Sequence, residues 1–342
     1  MQVRALKFAS LLMAGAMLSC TDGSRTAVVV QVSALSISKL PFVIAEDQGL
    51  YAKYGLDVEL WTGPPPFDGG RQGKRDLWRR VGNRLGLVDH PPVEIWVQGA
   101  TPSIVRFATD PTALDRISIA STDCIVRSHV IGRPGMTRLE DLKGKRLGVS
   151  SLTSTAGFIG RLVAERMGWV PDEDIFIVAD SHEVEDLQNG LVDATVAYEM
   201  GYAVLQGEGY PILADTKEWN EHIGGNSVLV ERQWLSNPTN RETAKRFLMA
   251  LAEAISLLHR DPELAIRVLD DWYGIDDRSF AEKVISRGAW IPREPYPCYE
   301  GIERTMELYD SSEMRKPSAA DFYEDSIVRS LADAGFIEAL YE

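Results

Sequence analysis

Cysteine is scarce in this chain, with three among 342 residues: Cys20, Cys124 and Cys298. No Cys-x-x-Cys occurs, and the five histidines are scattered without a His-x-x-x-His pair. A structural or catalytic zinc site is therefore not expected, and nothing points to a cofactor. Positive charge is also short, since 36 Lys+Arg face 50 Asp+Glu for a net charge of −14. That balance excludes a nucleic-acid partner gripped through its phosphates. Internal repeats and low-complexity segments are missing too, which sets aside solenoids and disordered tails. What remains is 45% apolar and 25% charged, the proportions of a globular protein long enough for two domains.

The N-terminus is the exception to that globular composition. Arg4 and Lys7 precede the largely apolar stretch Phe8–Leu18, whose eleven residues fall short of a membrane span. Leu18-Ser19-Cys20 looks like the lipobox of bacterial lipoproteins, which implies cleavage before Cys20 and a lipid on its thiol. An ordinary secretory cleavage with Cys20 incidental is the alternative. Either way residues 1–19 are a leader, and residues 20–26 form a tether, lipidated in the first case. Loss of Arg4 and Lys7 takes the net charge from −14 to −16. The protein is expected in the periplasm or on the outer face of the cytoplasmic membrane, held by the lipid alone. Export permits a Cys124–Cys298 disulfide, but two buried thiols remain equally open.

Ala27–Val32 reads as a buried first strand, followed by a polar loop and a helix near Pro41. Leu56–Trp61 and Val93–Val97 read as strands, and Ile117–Val126 as an unusually long one. Between them, 62–88 is a Pro/Gly-rich insertion whose Arg71–Arg84 part carries six basic residues. The middle of the chain alternates strand and helix: Arg146–Val149 with 155–167, Ile175–Val178 with 182–189, Ala194–Tyr198 with 201–206. This rhythm implies a parallel sheet with helices on both faces. Asn226–Glu231 interrupts it. Helices then follow at 241–259, where Phe247, Leu248, Leu251 and Ile255 share a face, and at 262–273, 278–287, 299–309 and 319–331. Crossings near Thr122–Arg127 and Gly224–Val228 divide the chain into a discontinuous lobe one (27–122 and 228–342) and an inserted lobe two (123–227). Two α/β lobes joined by two strands enclose a cleft that closes about a hinge.

The loop after Val149 carries Ser150, Ser151, Thr153, Ser154 and Thr155 at a strand-to-helix turn. Free N–H groups, hydroxyls and the helix dipole point together there, which suits an anion or a polar ligand edge. Simple capping by Ser154 or Thr155 is the competing reading.

Lys39-Leu-Pro-Phe-Val-Ile-Ala-Glu-Asp-Gln-Gly-Leu-Tyr-Ala-Lys-Tyr-Gly-Leu-Asp-Val-Glu59 resembles the opening of the thiamine-pyrimidine-synthesis-like solute-binding proteins. Asp141–Val149 is similar to that family's entry into its second lobe, and Asp186–Glu199 to its helix-turn-strand unit. Tyr198-Glu199-Met200 stands where the family commonly has Trp-Glu-Pro. The resemblance implies a two-lobed periplasmic-binding-protein type II fold: two mixed sheets flanked by helices and joined by a two-strand hinge. It also implies an ABC permease and its ATPase as partners of a monomeric, non-enzymatic protein.

Candidate ligand contacts are Ser38 and Lys39 after the first strand, Thr101 and Ser103 at a helix start, and Ser151, Thr153, Ser154 and Thr155 in the hydroxyl cluster. Tyr198 and Glu199 follow a strand, and Asn226 lies at the returning crossing; Trp61 and Trp290 are weaker candidates. A carboxylate among donors favours a heterocycle such as a pyrimidine, thiamine or flavin precursor. Alkanesulfonate, taurine or nitrate is the alternative ligand. An enzyme of the pyrimidine- or menaquinone-synthesis type is the alternative function, and a sensor or partner-binding lipoprotein docking through the basic insertion is a further one.

Overall fold

A computed structural model describes residues 25–33, 35–62, 92–110, 113, 115–288 and 291–342. The leader, Cys20, most of the tether, all of the basic insertion but Thr62, and Trp290 lie outside the described residues. Among the described residues, ten strands form two five-stranded sheets. In chain order they are β1 (Thr26–Val32), β2 (Leu56–Thr62), β3 (Ile95–Gly99), β4 (Arg116–Ser121) and β5 (His129–Gly132). They continue as β6 (Arg146–Gly148), β7 (Phe176–Val178), β8 (Ala194–Ala197), β9 (Ile212–Asp215) and β10 (Asn226–Glu231).

The first sheet runs β2-β1-β3-β10-β4. Val28, Val30 and Val32 alternate inward along β1, which pairs in parallel with β2 and β3, whereas β10 is antiparallel to both β3 and β4. Its core is closed by the helix Pro238–Arg260, which starts where the Asn237 side chain accepts the Thr239 N–H and proline takes the first turn. Phe247 of that helix stacks on Tyr51 at 5.2 Å, and the Tyr51 hydroxyl donates to the Phe42 carbonyl.

The second sheet runs β7-β6-β8-β5-β9, with β6 parallel to β7 and β8 and β5 antiparallel to β8 and β9. The helix Thr155–Met167 buries Phe158, Ile159, Leu162 and Val163 beneath it and closes at Gly168 in the left-handed region.

Two crossings join the sheets. Ile125 bridges His222 antiparallel, Val126 N–H donates to Glu221 and Ile223 N–H to Cys124, so the crossings form a short ribbon. A Cys124–Cys298 disulfide, with Cα atoms 5.3 Å apart, ties that ribbon to the helix Tyr299–Leu308. The same helix packs Ile302 into a core shared with Phe158 and Leu162. Its Arg304 meets Glu165 and Glu221, and the Tyr309 hydroxyl donates to the Leu152 carbonyl at 2.6 Å.

Three sequence expectations are corrected. Residues 117–126 are not one strand: the chain turns at Ser121, where Thr122 donates its hydroxyl to the Ser38 carbonyl. Residues 319–331 are not one helix. A 3-10 turn Ala319–Phe322 and a helix Ser326–Asp333 are separated where Tyr323 bridges Ser118 and Glu324 N–H donates to Ser118. The helix expected over 182–189 shortens to Glu185–Gln188, since the Asp186 carboxylate takes the His182 N–H and holds that start in a turn.

Candidate functional site

Strand ends of both lobes open into one cavity of 760 Å3. On the lobe-one side, the loop after β1 turns through a 3-10 turn, Ile37–Lys39. Ser36 and Ser38 face each other at 3.0 Å, and the Tyr273 hydroxyl holds the Ser36 carbonyl. Lys39 is only 7% exposed yet lines the cavity. Burial lowers its ammonium to about 8, against the pull of Asp123 and Glu199. The lysine therefore carries charge at neutral pH, with the carboxylates of Asp123 and Glu199 as counter-charges.

Asp123 enters from the first crossing. Its carboxylate accepts the Asn226 N–H and the Ser38 hydroxyl. Burial raises its pKa, while those donors, Lys39 and Arg127 oppose the rise. The turn beside it requires Gly225, whose φ is +69° and where a Cβ would fall 1.7 Å from the Asp123 carbonyl oxygen. The Asn226 side chain is 94% buried at the cavity wall, and its amide nitrogen has no hydrogen-bond partner among the described residues.

Lobe two supplies Glu183, Tyr198 and Glu199. The Glu183 carboxyl accepts the Tyr198 N–H at 2.8 Å and is pushed up to about 8, first by burial and then by the Glu199 charge. At neutral pH it is largely a neutral acid that can donate as well as accept. Space for it exists because residue 201 is glycine: a Cβ there would lie 1.8 Å from its Oε1. Glu199 opens the helix Glu199–Gly207, where the dipole favours its charge. The Tyr198 hydroxyl lies near the Thr155 hydroxyl and the Ala156 N–H at the neighbouring helix start.

The hydroxyl cluster divides. Ser154 and Thr155 line the cavity with Ser150, but the Ser154 hydroxyl is also the helix cap, accepting the Gly157 N–H at 3.1 Å. Ser151 and Thr153 do not line it; their hydroxyls face each other at 3.3 Å. Thr101 does not line it either. It is 1% exposed, and its hydroxyl lies 3.5 Å from that of Thr305 on the helix packed alongside; the cap position belongs to Gly99. Ser103 lines the cavity and accepts the Gln98 amide at 3.2 Å. Trp61 is not among the lining residues.

Sequence reasoning overlooked Asp123, Arg127, Ser181, Glu183, Arg106 and Arg116, all of which line the cavity. The first two lie in the crossing Thr122–Arg127, so its polar residues were available as a signal. Glu183 carried none, because it reads as one more acid in a polar turn.

Two α/β lobes, a two-strand hinge and a polar cavity between strand ends define the periplasmic-binding-protein type II fold. Residues 128–265 match the model of the NMT1/THI5-like family. The fold is similar to that of the alkanesulfonate-binding protein SsuA from Xanthomonas axonopodis pv. citri, at TM-score 0.64 and 16% identity over 88% of this chain and 99% of that one. It is similar to the periplasmic nitrate-binding protein NrtA from Synechocystis PCC 6803, at TM-score 0.65 and 14% identity over 91% and 89%. The desulfurization enzyme DszB shares it at TM-score 0.63 and 13% identity over 91% and 99%. No curated protein matches by sequence.

Proposed function

We propose that this is an exported, lipid-anchored solute-binding protein that captures a small organic molecule between its lobes and presents it to an ABC permease and its ATPase. The observation that carries this reading is the 760 Å3 cavity walled by both lobes, with Lys39, Asp123 and Asn226 on one side and Glu183, Tyr198 and Glu199 on the other. A ligand touching both walls stabilises the closed form by its differential affinity, and closure is the signal a permease reads. The matched family model and the alkanesulfonate- and nitrate-binding proteins of the same fold support it.

The favoured ligand is a heterocycle of the pyrimidine, thiamine-precursor or flavin-precursor kind. Asp123 and Glu199 offer acceptors, the protonated Glu183 and the Asn226 amide offer donors, and a ring edge with both kinds of group satisfies them together. Nitrate or a bare sulfonate placed among these groups would sit beside the Asp123 and Glu199 carboxylates. Calorimetry and thermal-shift measurements with pyrimidines, flavins and sulfonates test the choice, since a ligand at a hundredfold its Kd adds about 2.7 kcal/mol of stability. Stabilisation by sulfonates alone would sink the heterocycle. Lipidation is tested by the intact mass of the N-terminal peptide from a bacterial host, which should show the lipid on Cys20 and lose it in Cys20→Ser.

One observation favours an enzyme as the second reading. Burial raises Glu183 and lowers Lys39, each to about 8, within one cavity, the direction of shift that brings an acid or base toward neutral pH. Turnover of a bound heterocycle, followed by NMR, would establish it; unchanged ligand after prolonged incubation supports capture.

A further inference from the structure

The rim of the cavity holds two cations that the contacts above leave unused. Arg106 projects from the helix Ala100–Thr109 and Arg116 opens β4; both line the cavity. The Arg116 guanidinium lies over the Trp96 indole, 3.7 Å from the ring centroid, which fixes its plane. Its Nε is buried and has no hydrogen-bond partner among the described residues. Glu231 stands opposite Arg116 in the strand register, yet no ion pair joins them. Burial holds the guanidinium below its ordinary pKa; Glu231 acts against this and the neighbouring Arg106 adds to it. Among the described residues, Arg106 has one ion-pair contact, exposed and 3.7 Å long, to Asp110. Ser103, beside them on the lining, accepts from Gln98 and keeps its own hydroxyl proton to donate.

Two like charges on one wall, with a buried N–H left over, are what an oxyanion relieves. Its oxygens accept from the guanidinium edge, and its charge cancels the repulsion between the arginines. At the other end the cations Lys39 and Arg127 already face the carboxylates of Asp123 and Glu199, which makes that end the less favourable place for such a group. The cavity is thus electrostatically two-ended. We propose that Arg106 and Arg116 form an oxyanion subsite that holds a tetrahedral phosphoryl or sulfonyl tail of the captured ligand, whose neutral or cationic head faces Asp123 and Glu199. This assignment rests on the reading of the cavity as the ligand site.

The test uses inorganic phosphate and methanesulfonate as probes, added to the mature protein at ionic strength held constant with chloride. The readout is the Nε–H signal of Arg116 in arginine-selective NMR. A saturable shift is expected with one or both oxyanions at a Kd of about 1 mM or tighter. Chloride should give none, and Arg106→Gln, on an exposed position, should weaken the response about tenfold. The stronger of the two probes identifies the tail as phosphoryl or sulfonyl. No saturable shift with either probe, or full affinity in Arg106→Gln, overturns the subsite. The result is separable from the transport reading. A phosphate response in a protein that captures no organic solute upholds the subsite and removes the transport role. An organic ligand bound equally by wild type and Arg106→Gln, with no Arg116 response, does the reverse.

Discussion

The backbone N–H of Asn226 donates to the carboxylate of Asp123, joining the strand that returns to the first lobe with the segment that leaves it. With the Thr122 N–H and the Ser121 hydroxyl donating to the Asn226 carbonyl, it sets the spacing of the two crossings at the floor of the cavity. It also aims the Asn226 amide and the Asp123 carboxylate at the same ligand volume. Asn226→Leu leaves that backbone bond in place and removes the amide. Binding of a heterocycle should weaken by about 1–3 kcal/mol, the cost of one buried hydrogen bond, with the melting temperature of the unliganded protein little changed. Calorimetry beside a thermal scan separates the two effects; an equal loss of binding and stability would show that the amide is structural.

The Cys124–Cys298 disulfide closes a long loop and holds the first crossing against the helix Tyr299–Leu308. Its removal in Cys124→Ala/Cys298→Ala should cost about 2–4 kcal/mol, read from chemical denaturation. Because Asp123 is the adjacent residue, ligand affinity should fall as well. A double variant of wild-type stability would contradict the packing described.

Glu183 and Lys39 set opposite pH slopes. The folded pKa of Glu183 is raised to about 8, so its stabilising proton is fully present below the ordinary glutamate range and is lost as pH rises toward 8. The folded pKa of Lys39 is lowered to about 8, so the burden of its buried charge is relieved from about 8 up to the ordinary lysine range. Their joint contribution to stability is therefore lowest near pH 8. Each group limits the slope to about 1.4 kcal/mol per pH unit. Glu183→Gln should flatten the acid-side slope and Lys39→Met the alkaline one, as measured by denaturation at a series of pH values.

Gly201 has no room for a methyl group, because the Glu183 carboxyl occupies that space. Gly201→Ala should push Glu183 from its place beside the Tyr198 N–H and lower its pKa toward the ordinary range. Carbonyl-labelled NMR of Glu183 reads this directly, and an unchanged titration would refute the contact.

Legibility differed by element. The Val28-x-Val30-x-Val32 alternation and the Phe247, Leu251, Ile255 stripe encode β1 and the helix Pro238–Arg260 locally, so both were readable. The helix Tyr299–Leu308 was readable as a helix, but its packing beneath the second lobe depends on Gly301, whose Cβ would strike the Ile223 carbonyl. No periodicity reports that contact. The site divided in the same way. Ser38, Lys39, Glu199 and Asn226 sit at strand ends and line the cavity, so βα rhythm alone could nominate them. Thr101 and Ser151 share that local signature but not the tertiary placement. Glu183 and Arg116 reach the cavity through Tyr198 and Trp96, neighbours that exist only once the chain has folded.

Native mass spectrometry of the purified protein, for wild type and Asn226→Leu, tests the central claim most directly. The claim predicts one small organic adduct per wild-type chain, either retained from the cell or acquired from a panel of pyrimidines, flavins and sulfonates, and markedly less of it on the variant. No adduct from any source, or equal occupancy of the two proteins, would contradict a ligand held in this cleft.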